Sequence, residues 1–197
     1  MAALVADRTP PATASSEKGS LMDQNQQLSR LADLLAKQDI TEAISRYARA
    51  MDRLDAELAK SVFHPDARVD YGEAVFQGSA YAFIDWVLGS HVGLVAHTHQ
   101  MSTISISVDG DSAGSETYAD VAIRHRGEGE LFTDITTFGR YIDRWECRND
   151  HWAIVERRYL NDFQSTVSSP GSKHPMTGRR DRSDPSYEVL AKGTAPD

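Results

Sequence analysis

The tripeptide His97-Thr98-His99 and an upstream acid, Asp52, are the residues in this chain best suited to proton chemistry. Histidine is the side chain whose ordinary pKa lies nearest neutrality, so a positioned imidazole with a carboxylate partner is the simplest general base a protein can build. Asp52 stands out by periodicity. Ile40, Ile44, Tyr47, Ala48, Met51, Leu54, Leu58 and Val62 recur at three- and four-residue steps, one stripe of an amphipathic helix, and Asp52 extends its Ile40, Ile44, Ala48 ridge. A carboxylate there needs a partner. A histidine is one; Arg49 or a nearby backbone amide at the edge of the stripe is another.

In an ideal strand His97, His99 and Met101 share one face, while Thr98, Gln100, Ser102 and Ile104 share the other. The same His-x-His spacing with Asp52 as a third ligand suits a metal. No further Cys, His or Glu sits at a telling spacing, so neither a metal nor any other cofactor is expected. Gly110-Asp111-Ser112-Ala113-Gly114 fits the hydrolase pattern Gly-x-Ser-x-Gly. That motif works on a strand-to-helix elbow, whereas here turn-forming residues lie between two strands, which argues for a hairpin and against a nucleophile. Glycine-rich nucleotide signatures are absent from the sequence. Tyr47, on the stripe of Asp52, can donate to a leaving group or oxyanion, or be a core tyrosine with its tip in water. Arg157 alternates with Ala153 and Val155 on the last strand and becomes a pocket cation if that face is inward, whereas Arg140 and Arg144 read as cross-strand ion-pair partners.

Helices come first and strands later. Residues 28–37 and 40–63 read as helices, with Asp39 or Thr41 as caps and His64-Pro65-Asp66 as a break. ARVDY and AVFQG read as short strands, and SAYAFIDWVL as a helix capped by Ser79. Four long strands follow, separated by Asp109-Gly110-Asp111, Gly127-Glu128-Gly129 and Arg148-Asn149-Asp150, which is hairpin chemistry. The expected class is α+β, a strongly bent antiparallel sheet wrapping the helices into a cone around an apolar pocket. Residues 1–25 read as a flexible leader, 26–163 as the domain and 164–197 as a tail dispensable for the chemistry, unless Tyr187, Val189 and Leu190 dock on a neighbouring subunit.

Composition narrows the partners. With 29 acidic residues against 21 Lys and Arg the net charge is −8, which argues against nucleic acid and against an anionic membrane surface. No apolar run approaches the roughly 20 residues that cross a bilayer, and MAALVADRTPP lacks the features of a secretion signal, so a cytoplasmic protein is expected. Cys147 is the single cysteine, and packing is its expected role.

The strings ISRYARAMDRLD, SVFHPDARVDYG, THQMSTISISVDGD and FGRYIDRWECRNDHWAIVERR together resemble the SnoaL-like branch of the nuclear-transport-factor-2-like superfamily, over roughly residues 28–163. That superfamily hosts dehydratases, dehydrohalogenases, isomerases, polyketide cyclases, aromatic lyases and non-catalytic binding modules. The resemblance to hexachlorocyclohexane dehydrochlorinases and bile-acid 7α-dehydratases implies an Asp52–His99 dyad. The dehydratases further imply roles for Tyr47 and Arg157. Scytalone dehydratase has a second pocket histidine that His125 matches poorly, so no role is carried over to it. The implied protein is a cofactor-independent lyase of aromatic-compound catabolism, acting on a hydrophobic cyclic or aromatic small molecule and assembling as a dimer or trimer. His97, Met101, Trp86 and Phe138 are its expected substrate contacts. The alternatives are a steroid-isomerase-like proton shuttle and a non-catalytic small-molecule-binding module.

Overall fold

The computed structural model describes residues 14–171 and 173–190, with side chains from residue 23 onward. Residues 1–13, most of the expected leader, lie outside it, but the chain is already helical from Ala14. The chain divides into two compact units at Ala36/Lys37, and the second, from Lys37, carries every element that matters for the site.

Helix α1 (Ala14–Asp52) is continuous where two helices were expected. Thr41, a candidate cap, instead donates its hydroxyl back to the Lys37 carbonyl at 2.7 Å, and Ser45 does the same to Thr41 at 3.0 Å, so neither interrupts the ladder. Ile40, Ala43, Ile44, Tyr47, Ala50 and Met51 form the buried row. The helix ends at Asp52 rather than running to residue 63. Leu54 turns left-handed (φ 53°), and Asp55 caps the short α2 (Ala56–Lys60) by accepting from the Leu58 amide at 3.2 Å.

The sheet has the order β2-β1-β6-β5-β4-β3. Its strands are β1 (Phe63–Asp70), β2 (Gln77–Ser79), β3 (Ala96–Asp109), β4 (Ser112–Arg126), β5 (Phe132–Arg148) and β6 (His151–Ser169), with α3 (Ala80–His91) between β2 and β3. The β3–β6 meander is antiparallel, as expected, but β1 pairs with β6 in parallel, because the chain leaves the helices to join the far side of the sheet. Pro65 does not end a strand. It lies where the β1–β6 register shifts, between Phe63 and Arg68, the place a residue without an amide donor can occupy.

Bulges bend this sheet and reset which residues face inward. Thr103 (φ 46°) is the extra residue between Ser102 and Ile104. The half-buried positions therefore switch from His99 and Met101 to Ile104, Ile106 and Val108. Ile104 thus joins the histidine face, against the ideal alternation. Beside a second bulge, Gly139 packs where any Cβ would strike the Leu160 carbonyl and the Tyr159 ring.

Strand β6 runs to Ser169, past the expected boundary at 163, and the tail is built into the fold. Arg49 donates to the Ser186 hydroxyl at 2.6 Å and Arg53 pairs with Asp184 at 3.4 Å. The Tyr187 hydroxyl, on the short α4 (Ser186–Val189), donates to Asp55 at 2.8 Å, while Val189 and Leu190 stay exposed. Tyr187 therefore docks on its own chain. Burial pushes the Asp55 carboxyl up, but the Tyr187 hydroxyl, the Leu58 amide and Arg182 together hold it below the ordinary range. Replacing Tyr187 with Phe should cost about 1–2 kcal/mol in urea unfolding by leaving that carboxylate short of a donor. Ending the chain at Val167 should cost more. A truncated protein as stable as the full chain would restore the dispensable-tail reading.

Candidate active site

The end of α1 and the start of β3 bring Asp52 and His99 together. His99 Nδ1 lies 2.8 Å from Asp52 Oδ1, and the His99 backbone amide donates to Oδ2 at 3.2 Å. The partner of Asp52 is thus this histidine and its own amide, rather than Arg49. A carboxylate can only accept, so the shared proton belongs to Nδ1, and in the neutral imidazole Nε2 is the acceptor. The His99 side chain is 4% exposed and lines a cavity of about 260 Å³.

Six aromatic side chains line the cavity: Tyr47 from α1, Tyr71 after β1, Phe83 and Trp86 from α3, Tyr141 from β5 and Tyr159 from β6. Tyr71 stacks on Phe83 at 4.1 Å and on Tyr159 at 5.4 Å. The Tyr47 and Tyr71 hydroxyls are 3.1 Å apart, and the Tyr47 ring meets His99 edge-on at 6.2 Å. Burial, the main cause, raises the Tyr71 and Tyr141 phenols well above their ordinary values, so both remain protonated donors.

Arg157 faces inward but does not line the cavity. It is Asp143's direct neighbour across β5–β6, and the two form a bidentate pair at 2.7 and 2.8 Å. Burial opposes the Arg157 charge, and Asp143 more than offsets this. Its guanidinium lies 4.2 Å from the Tyr47 ring centre and 4.1 Å from that of Tyr141, behind both rings. Any effect on a ligand passes through the Tyr47 and Tyr141 rings that it backs.

His97 and Trp86 line the cavity, as expected of substrate contacts. Met101 and Phe138 do not. Met101 lies one inward step beyond His99. Phe138 alternates with the lining residues Thr137 and Tyr141, so it points to the other side and stacks on Phe163 at 4.4 Å. His91 was missed. It belongs to the last turn of α3, beyond the segment read as a helix, and its ring lies 4.6 Å from that of His97.

Burial, above all, with the neighbouring His99 adding to it, lowers His97 to about 2 and His91 to about 4. Both rings are neutral at working pH. The unfolded chain binds these protons below its ordinary histidine pKa near 6.5 and the folded chain does not, so stability falls with falling pH. His97 alone should give a slope of up to about 1.4 kcal/mol per pH unit between about pH 6.5 and 4.5. His97→Gln should remove that part of the slope in urea titrations. An unchanged slope would show that His97 is protonated in the fold.

A metal would find ligand atoms here: one each from Asp52, His97 and His99 lie within 4.8 Å of one another. In this arrangement, however, Asp52 Oδ1 is already committed to His99 Nδ1.

A bent antiparallel meander with helices packed against it, and a mostly apolar cavity, make the nuclear-transport-factor-2-like α+β fold. Known structures agree. A nuclear transport factor 2 (NTF2-like) superfamily protein from Salmonella enterica superposes with a TM-score of 0.56 at 22% identity, covering 74% of this chain and 99% of that one. Hexachlorocyclohexane dehydrochlorinase LinA-type3 from Novosphingobium barchaimii superposes with a TM-score of 0.62 at 15% identity, covering 76% and 99%. Within this class the SnoaL-like domain model matches residues 32–158, so the chain belongs to the SnoaL-like family. The uncharacterized protein Rv2910c of Mycobacterium tuberculosis is 25% identical over 140 residues, 70% of this chain and 92% of that protein.

Proposed function

We propose that this protein is a cofactor-independent lyase that removes water, formaldehyde or halide from a small cyclic or aromatic molecule. The observation that carries the reading is the 2.8 Å Asp52–His99 pair, set in an aromatic cavity with Nε2 of the base uncommitted. His99 Nε2 takes a proton from carbon or from a hydroxyl. Asp52 holds the tautomer and stabilises the imidazolium. The electron pair released forms the new double bond as the leaving group departs from the β position. The Tyr47 hydroxyl, relayed by Tyr71, protonates or hydrogen-bonds that group, and each such donor is worth roughly 3 kcal/mol in the transition state. Arg157 acts as a positioning residue by fixing the Tyr47 ring. Trp86 and His97 are contacts for the substrate.

At about 260 Å³ the cavity falls just below the usual range for ligand pockets, so one or two rings suit it. The dehydrochlorinase among the structural neighbours supports elimination chemistry as the first type to test. No described helix is long and apolar enough to cross a membrane. A cytoplasmic small-molecule enzyme of aromatic catabolism, without nucleic-acid or membrane partners, is part of the same proposal. A homo-oligomer is part of the same reading.

The test uses protein stripped of metal by exhaustive chelation and a panel of aryl compounds bearing β-halide, β-hydroxyl or hydroxymethyl groups. Released halide or formaldehyde, or a new conjugated absorbance, is expected without added metal. Activity that needs one restored divalent ion would move His97, His99 and Asp52 into a ligand set and overturn the mechanism. Isomerisation with nothing released would select the proton-shuttle reading, and saturable binding without turnover the binding module.

A further inference from the structure

Helices that pair side by side carry apolar residues at alternating steps of three and four, the a and d positions of a seven-residue repeat. Helix α1 has such a seam ahead of Lys37. Leu28, Leu31 and Leu35 follow this spacing, Leu34 lies beside them, and the four are 50–63% exposed. Every residue from 23 to 35 is exposed, so no face of this stretch is covered among the described residues. A helix alone in water is marginal, and most helical stability in proteins comes from packing an apolar face. A continuous stripe of exposed leucines therefore marks a docking surface.

The pattern of the stripe selects its occupant. With Leu28 and Leu35 at a and Leu31 at d, Gln24 and Gln38 also fall at d. The flanking e and g positions between them hold Asn25, Gln27, Ala32 and Leu34, while Asp23, Arg30, Asp33 and Lys37 fall at c and f, on the far side. A foreign helix is commonly chosen by opposite charges at e and g, and here there are none to choose it. The same stripe on a second copy meets no like charge. In a parallel, in-register pair Gln24 and Gln38 each face their own counterpart and can exchange amide hydrogen bonds. Gln38 gives one N–H to Glu42 at 3.1 Å and keeps its carbonyl and a second N–H for this. Antiparallel pairing would set Gln24 against Leu35. Two acids and two bases cancel on the outer face, which offers no basic surface to an anionic membrane.

We propose that the leucine stripe of α1 docks on the same stripe of a second copy of this chain, as a parallel two-fold pair. Leu28 and the residues before it precede the SnoaL-like match to residues 32–158, so the seam begins outside the family's domain. None of the stripe residues lines the cavity, and the proposal gives the homo-oligomer a surface without depending on the lyase reading.

The experiment uses the full chain with Cys147→Ser, so that one introduced thiol reports proximity. Leu31→Cys is expected to form an interchain disulfide under mild oxidation, because d residues of a parallel pair face each other. Asp33→Cys, on the far side, is expected to cross-link at least about tenfold more slowly. Adding Leu28→Gln and Leu35→Gln to the Leu31→Cys chain should slow its cross-linking by at least about tenfold, while near-ultraviolet circular dichroism stays that of the folded chain. Equal rates at the two thiols, no cross-link at Leu31→Cys, or a rate that the glutamines leave unchanged would each overturn the proposal. So would binding to phosphatidylcholine–phosphatidylserine vesicles that the glutamines abolish, which would give the stripe to a lipid surface.

Discussion

Asp52→Asn and His99→Ala are each expected to reduce turnover by about 10⁴-fold, the scale seen when a histidine base loses its orienting carboxylate or is itself removed. The geometry explains why either loss is nearly complete. The Asp52 carboxylate is held by the ring and the backbone amide of the same residue, so Asp52→Asn keeps an oxygen for the amide but no longer fixes the proton on Nδ1. The ring is then free to present the wrong nitrogen to the substrate. Because the two residues act as one unit, the double variant should be no slower than the worse single one. Initial rates of leaving-group release, read beside melting temperatures, check this. Near-native rates in either folded variant would remove the dyad from the mechanism.

Asp143→Ala has the largest expected effect on stability, about 3–5 kcal/mol, because it strands the Arg157 guanidinium in the core. Arg157 is 1% exposed and Asp143 is equally buried, so water cannot replace the lost partner. Since Arg157 backs the Tyr47 ring at 4.2 Å, the catalytic rate should fall together with the melting temperature. Replacing both partners by Leu and Met should recover most of the stability, as buried pairs exchanged for apolar groups commonly do, without recovering the rate. Urea denaturation and kcat on the same variants separate the two effects. A double replacement with full activity would show that Arg157 is only a core residue.

The site was legible in the sequence where local periodicity carries the information. Asp52 on the helical ridge and His99 on a strand face are positions that steps of 3.6 and 2 residues define, and both residues meet as those steps imply. Whether Arg157 faces inward stayed open in the sequence, and its pairing was not legible, because Asp143 becomes its neighbour only through the β5–β6 register, which the bulge at Arg144/Trp145 resets. The Thr103 bulge hid Ile104 in the same way, since one extra residue exchanges the two faces of a strand. Met101 was drawn into the site by sharing the face of His97 and His99 and Phe138 by residue type, and distance along the strand removes the first and alternation the second. Arg180 and Tyr187 gave no periodic signal. They dock through single side chains from a segment of little regular structure, and only the folded arrangement relates them to Leu94 and Asp55.

The central claim is that His99 presents a bare Nε2 to the cavity because Asp52 holds the proton on Nδ1. Nitrogen-15 NMR of the ring in the full, metal-free protein near pH 7 tests it most directly. A proton-bearing Nδ1 with a strongly deshielded hydrogen, an unprotonated Nε2, and loss of that pattern in Asp52→Asn are the predicted results. A proton resident on Nε2, or a spectrum that Asp52→Asn leaves unchanged, would contradict the account.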